Sequence, residues 1–163
     1  MTIIGNRVST FVRNKPMKIT SAFPIIVTEK LTESLTFYEK LGFVAVFAGD
    51  WYIHLVWPDC MEVQIGLMQP DHPTQPPLFQ GRTMGEGSIF GISVDNAKSA
   101  AEELRAKGFE FALELRDEPW GQRHFTLLDP NGVRIDIASQ EAEMSDEYAK
   151  DFLMPVESIP ASS

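Results

Sequence analysis

The sequence predicts an α+β protein in which two tandem βαβββ modules form a cupped, mixed sheet. Three observations carry that prediction. Shifted by 66 positions, Phe37-Tyr38-Glu39-Lys40-Leu41-Gly42-Phe43 falls on Glu103-Leu104-Arg105-Ala106-Lys107-Gly108-Phe109, so each copy ends a helix at glycine and restarts on phenylalanine. Farther along, a shift of 72 positions sets Trp51 to Gln64 beside Arg123 to Asp136, and the turn residues Asp59-Cys60 meet Asn131-Gly132. Between the copies, Pro70, Pro73, Pro76 and Pro77 with Gly81 and Gly85 resist both helix and interior strand. A duplicated supersecondary unit builds a pseudo-symmetric object with a cleft between equivalent surfaces, so function is to be read from pairs of positions.

Taken in order, residues 1–16 show no clear period and end in Asn14-Lys15-Pro16, which marks an arm before the first strand. The domain proper is expected over residues 17–139, with modules at 17–69 and 87–139, a linker at 70–86, and a tail at 140–163. Ile19 to Val27 is apolar enough for a buried strand. Leu31, Leu35, Tyr38 and Leu41 then recur at helical spacing, with Gly42 where a left-handed helix stop favours a residue without Cβ. Phe43 to Phe47, Trp51 to Trp57 and Met61 to Met68 read as three strands separated by the turn signals Gly49-Asp50 and Pro58-Asp59. The second module repeats the order: strand Ser88 to Val94, helix Asn96 to Lys107 capped by Asp95 and stopped by Gly108, then strands near Phe109 to Leu115, Arg123 to Leu128 and Val133 to Ala138. The tail offers a short helix at Asp146 to Leu153.

The totals narrow the partners. At 163 residues and 44% hydrophobic composition the chain can bury a core. Its 23 acidic against 14 basic residues give a net charge of −9, which repels phosphate backbones and anionic lipid and favours neutral or cationic ligands. Nucleic acid and membrane are therefore not expected partners. Cys60 stands alone, without a second cysteine for a disulfide, and no apolar stretch has the length to cross a bilayer. Met1-Thr2-Ile3-Ile4-Gly5 lacks the charged start and apolar run of a secretory signal, so the cytoplasm is the expected compartment.

Through Phe37-Tyr38-x-x-Leu41-Gly42-Phe43 and Asp129-Pro130-Asn131-Gly132-x-x-Ile135-Asp136, the chain resembles the glyoxalase, bleomycin-resistance and extradiol dioxygenase superfamily, the vicinal oxygen chelate fold, over roughly residues 17 to 139. Pro119-Trp120-Gly121-Gln122-Arg123-His124-Phe125 looks like a loop and strand of its bleomycin-resistance-like branch. In metal-dependent members a divalent ion is held by His or Glu from the first and last strands of each copy. Carried onto this chain, those places fall at Phe23, Gln64, Ile89 and Asp136. Asp136 alone is a competent anionic ligand, and a cation left with one carboxylate loses most of its coordination energy. The resemblance with these substitutions implies a cup without a metal, and no cofactor is expected. It also implies a homodimer.

Strand alternation puts Glu62 and Gln64 opposite Val63 and Ile65, and Arg134 and Asp136 opposite Val133, Ile135 and Ile137. The apolar set should meet the helices. The polar set should face the cup, joined by Tyr52 and His54 in one copy and by His124 and Thr126 in the other. Two readings of these charges stand together: a binding surface, or pairs such as Glu62 with Arg134 and Asp136 with Arg134 that merely neutralise one another. The residues by which the second copy exceeds the first lie between Phe109 and Arg123, where Trp120 is either a lip over the cup, its indole a flat surface for planar or cationic ligands, or a core plug. Trp51, Trp57 and Phe79 read as packing residues, His72 as an exposed loop residue, and Cys60 as a passive thiol. His54 and His124 have no activating neighbour visible in sequence, so no catalytic residue is assigned.

The expected function is binding of an aromatic or cationic small molecule in a dimeric cleft, through Tyr52, His54, Glu62, Gln64, Trp120, His124, Arg134 and Asp136. The alternative is a metal-dependent lyase, isomerase or dioxygenase of the same superfamily using non-standard ligands such as His54, Glu62, His124 or Asp136. A third possibility places function on the dimer surface, as a partner-binding module.

Overall fold

The computed structural model of the protein describes residues 20–83 and 85–149. The first module comprises β1 (Ile25–Val27), α1 (Leu31–Leu41), β2 (Val44–Ala48), β3 (Tyr52–Trp57) and β4 (Cys60–Met68). The second comprises β5 (Ile89–Ser93), α2 (Ala97–Ala106), β6 (Leu113–Asp117), β7 (Arg123–Leu128) and β8 (Arg134–Ser139). A short helix, α3 (Asp146–Ala149), follows. The predicted helix reached Leu153, and its remainder, like the arm at 1–16, lies outside the described residues.

The strands form two four-stranded sheets of identical plan, ordered β1-β4-β3-β2 and β5-β8-β7-β6. The β1–β4 and β5–β8 pairs are parallel and the others antiparallel, so each sheet is mixed. Two strands are shorter than their apolar runs suggested. β1 begins at Ile25 rather than Ile19, and β6 at Leu113, because Phe109 and Phe111 leave the ladder to pack edge-on to Phe37 and stacked on Phe125.

Helix α1 stops where the sequence predicts. Gly42 sits at φ +132°, its N–H bonding back into the last turn, and a Cβ there would lie 2.7 Å from the Trp57 ring. At the start of α2 the cap is Asn96, not Asp95: its side chain accepts from the Ser99 amide at 2.7 Å. Glu141 adds a second cap, accepting from the Ala97 amide at 3.0 Å while Ser139 donates its hydroxyl to the same carboxylate. The Ser139 hydroxyl, and after it the Ala97 amide, hold the Glu141 carboxyl below its ordinary range against the desolvation that opposes them. A depressed folded-state value adds stability above the unfolded-chain range and loses it as pH falls through the folded value. A carboxyl-carbon NMR titration is therefore expected to give Glu141 a midpoint below the ordinary 4.5, with amide protection at the start of α2 declining through the same interval.

The hydrogen-bond registers correct one equivalence drawn from sequence. β1 aligns Ile25 with Gly66, whereas β5 aligns Gly91 with Asp136. Ile25 and Gly91 are related by the shift of 66, so the residue matching Asp136 is Gly66, a shift of 70, and Gln64 matches Arg134. The outgoing bonds agree: Thr28 donates to Met68 and Val94 to Ala138. The cause is the hairpin between β3 and β4, where the register slips between Val56 and Trp57, making this turn longer than the one between β7 and β8.

The modules share one core. Ile53, Leu55, Ile65 and Leu67 of the first sheet and Phe125, Leu127, Ile135 and Ile137 of the second cluster with Tyr38, Leu41, Ala101 and Leu104 of the helices. A buried polar knot ties the halves together. Asp129, 4% exposed, accepts from the Asn131 and Val133 amides through Oδ1 and from the Tyr38 hydroxyl through Oδ2 at 3.1 Å. Asn131 Nδ2 donates to Ser34, and Thr28 donates to Asn131 Oδ1. Burial, then Asp129, pushes the Tyr38 pKa far above the ordinary phenol range, so this hydroxyl always donates. The motif Asp129-Pro130-Asn131-Gly132 is thus a turn and also the joint between modules.

Candidate functional site

Alternation along each strand sends one set of side chains into the core and the other to the opposite face of its sheet. In the first module Ile26, Ile53, Leu55, Ile65 and Leu67 go inward, leaving Ile25, Val27, Tyr52, His54, Gln64 and Met68 on the outer, concave side. A hydrogen-bonded chain crosses that side. The Tyr52 hydroxyl lies 2.9 Å from His54 Nδ1, His54 Nε2 lies 3.0 Å from Gln64 Oε1, and Gln64 Nε2 donates to the Met61 carbonyl at 2.7 Å. Phe23 stands edge-on to His54, centroids 4.7 Å apart. A Cβ on Gly66 would meet the Tyr52 hydroxyl at 2.9 Å, so the phenol occupies the space that the Asp136 side chain fills in the second module. Partial burial of Tyr52 raises its pKa.

Beside this chain opens a pocket of about 570 Å³. Its floor is Ile25, Val27, Tyr52 and Met68, and its walls are Trp51 and the inter-module segment at Leu78, Phe79, Arg82 and Thr83. The segment is fixed in place from several directions. Thr83 exchanges hydrogen bonds with the Val27 backbone at 2.8 and 3.2 Å, Arg82 pairs with Glu29 at 2.7 Å, and Trp51 stacks on His72 with centroids 4.7 Å apart. Leu78 follows Pro76-Pro77 in a 3₁₀ turn and is 89% exposed at the pocket's edge.

The second module carries a different group. His124, at the position matching Tyr52, lies between two carboxylates: Nδ1 is 2.9 Å from Asp136 Oδ1 and Nε2 is 3.2 Å from Glu118 Oε1. Thr126 donates to the same Asp136 oxygen at 2.8 Å, and Arg116 pairs with Glu118 at 2.6 Å. Trp120 is half-buried above His124, ring centroids 6.3 Å apart. Its indole N–H donates to Gln122, it faces the Tyr148 ring, and it bridges to Met144, while Ser145 donates to the Pro119 carbonyl. The 119–121 loop is therefore a seat for residues 142–148.

Of the residues selected from sequence, the structure brings together Tyr52, His54 and Gln64 in one group and Trp120, His124 and Asp136 in another. Among the described residues no hydrogen bond, ion pair or ring contact joins the two groups. Glu62 is exposed and, among the described residues, accepts only from the Cys60 thiol at 3.5 Å. Arg134 is exposed and reaches the Gly85 carbonyl at 3.5 Å, and among the described residues it pairs with neither Glu62 nor Asp136. Trp57 packs on Phe43, as expected of a packing residue. Trp51 and Phe79, expected to pack likewise, instead wall the pocket. For Phe79 the signal was present: Pro76-Pro77 stiffens the chain just before Leu78 and Phe79, two large apolar residues with no period to bury them. Glu118 was missed because its partner lies across a loop.

The donor set does not suit a divalent metal. Of the places carried over from sequence, Phe23 and Ile89 are hydrocarbon, the Gln64 amide is bonded to His54 and Met61, and Asp136 Oδ1 is already bonded to His124 and Thr126, while Gly66 stands where the register puts the match of Asp136. Among the described residues no three His, Cys, Asp or Glu side chains converge as ligands. Among them also, no helix is long and apolar enough to cross a membrane.

Residues 19–137 match the Glyoxalase/Bleomycin resistance protein/Dioxygenase superfamily. Among solved structures, a glyoxalase/bleomycin resistance protein/dioxygenase from Nocardioides is similar at 23% identity, covering 77% of this chain and 85% of that one, with a TM-score of 0.63. A virulence protein from Salmonella typhimurium is similar at 19% identity, over 76% and 98% of the two chains, TM-score 0.60. A bleomycin-binding protein complexed with bleomycin is similar at 21% identity, over 76% and 100%, TM-score 0.54. These likenesses show a shared fold. No curated protein matches the chain.

Proposed function

The chain belongs to the Glyoxalase/Bleomycin resistance protein/Dioxygenase superfamily, and from that premise we propose that it is a small-molecule-binding protein, holding an aromatic or cationic ligand without a metal ion in a cleft that a second copy completes. The observation that carries this reading is the pocket on the first module, of a size for a drug-like molecule and lined by Trp51, Tyr52 and Phe79. The net charge of −9 favours a cationic group on the ligand. The bleomycin-binding protein of like fold, in complex with its ligand, supports the same role.

A second copy is supported by what one chain leaves open. Both concave faces point away from the shared core, and the edge strand β2 exposes Val44, Val46 and Phe47 by 46 to 57%. An apolar edge with unpaired backbone groups favours pairing, and a two-fold arrangement would set the Trp120 and His124 face of one protomer toward the Tyr52 and His54 face of its partner, with Glu62 and Arg134 at the rim.

The test is a titration with a panel of planar aromatic cations, following tryptophan fluorescence, with light scattering for mass. Saturable quenching by at least one compound and a mass twice 18.3 kDa are expected. Absence of quenching across the panel, or quenching unchanged in Tyr52→Ala, counts against the reading. One equivalent of divalent metal in protein purified without chelator, lost in Asp136→Ala, would overturn its metal-free part.

A further inference from the structure

The polarity of the Tyr52 hydroxyl follows from a bond three groups away. The Met61 carbonyl can only accept, so the Gln64 atom 2.7 Å from it is the amide nitrogen. The other end of that amide is then an oxygen, and it faces His54 Nε2 at 3.0 Å. Two acceptors make no hydrogen bond, so Nε2 carries a hydrogen, and in the neutral form of the ring that leaves Nδ1 bare. The Tyr52 hydroxyl, 2.9 Å from Nδ1, must donate to it. Its single proton is committed to the histidine, and what it leaves for a ligand is lone pairs alone.

Among the described residues the other polar side chains of the lining, Gln75, Arg82 and Thr83, make no hydrogen bond to that hydroxyl. Thr83 Oγ1 is engaged by the Val27 amide, and the Arg82 guanidinium is turned to Glu29 at 2.7 Å. Burial raises the Tyr52 pKa, so the phenol keeps its proton at neutral pH. Resting on the pocket assigned above, the geometry points to a ligand with a flat apolar body that donates an N–H or O–H hydrogen bond to the Tyr52 oxygen. An ether, carbonyl or ring nitrogen at that place would oppose lone pair to lone pair and leave both desolvated.

Indole and its oxygen isostere benzofuran differ in little but the donor, and ligand-observed NMR on the full chain gives both affinities. Indole is expected to bind about tenfold more tightly, the size of one hydrogen bond. In Tyr52→Phe the two should fall within about twofold of each other. Gln64→Leu, which unfixes the imidazole tautomer and leaves the phenol in place, should narrow the preference as well. Equal binding of both probes to the wild-type chain, tighter binding of benzofuran, or a preference for indole that survives both substitutions overturns the donor requirement and leaves the pocket standing. No binding of either probe overturns the pocket and the donor requirement together.

Discussion

Asp129→Ala is expected to lower folding stability by about 3–5 kcal/mol, among the largest effects of any single substitution outside the apolar core. The carboxylate is 4% exposed and takes four hydrogen bonds: the Asn131 and Val133 amides, the Tyr38 hydroxyl and Asn131 Nδ2. Alanine takes the acceptor from both amides and from the Tyr38 hydroxyl, while Asn131 Nδ2 keeps Ser34, and Tyr38, fully buried, has no water to turn to. Tyr38→Phe removes one donor together with its desolvation cost and should lose only about 1 kcal/mol. The double variant should therefore be less unstable than the two losses added, since phenylalanine removes one of the groups that alanine strands. Urea denaturation followed by circular dichroism checks all three. A loss under about 1 kcal/mol for Asp129→Ala would show that apolar packing alone joins the modules.

Trp51→Ala is expected to raise the dissociation constant of any pocket ligand by about 30- to 100-fold, about 2–3 kcal/mol, with the denaturation midpoint nearly unmoved. Two losses combine. The indole is a wall of the pocket, and it also stacks on His72, holding the inter-module segment over the sheet. Trp51 lies outside the buried core cluster, which is why folding should be spared. His72→Ala removes the stack and keeps the wall, so its effect on affinity should be the smaller of the two. The same titration measures both, and equal losses would assign the whole effect to the position of the segment.

Much of the architecture was legible because it rests on local chemistry. Gly42 and Gly108 mark helix ends through the backbone freedom that a turn requires, and the alternation in β3, β4, β7 and β8 separates core from concave face without tertiary information. Asp95 against Asn96 as the cap of α2 is a choice between adjacent residues of equal aptitude, settled by which one directly precedes Ala97 and sets its side-chain oxygen on the Ser99 amide. The match of Asp136 was misplaced for another reason. A slip in the hairpin after Val56 costs no hydrophobic pattern, since a change of two positions keeps the same face. The candidate site divided for a similar reason: alternation places Tyr52 and His124 each on a concave face, but it says nothing about whether the two faces meet. Trp51, Leu78 and Phe79 escaped selection because their surroundings are set by a proline-rich segment whose course depends on distant anchors, Thr83 to Val27 and Arg82 to Glu29.

The knot of Tyr38, Asp129 and Asn131 shares no residue with the pocket lining, and the two lie on opposite sides of the first sheet. On the proposed reading the chain is a chassis with an exchangeable front. Random replacement at Trp51, Leu78 and Phe79 should yield variants that accept different guests with unaltered melting behaviour, and a lineage carrying this duplication would be free to retarget one half while inheriting the frame intact.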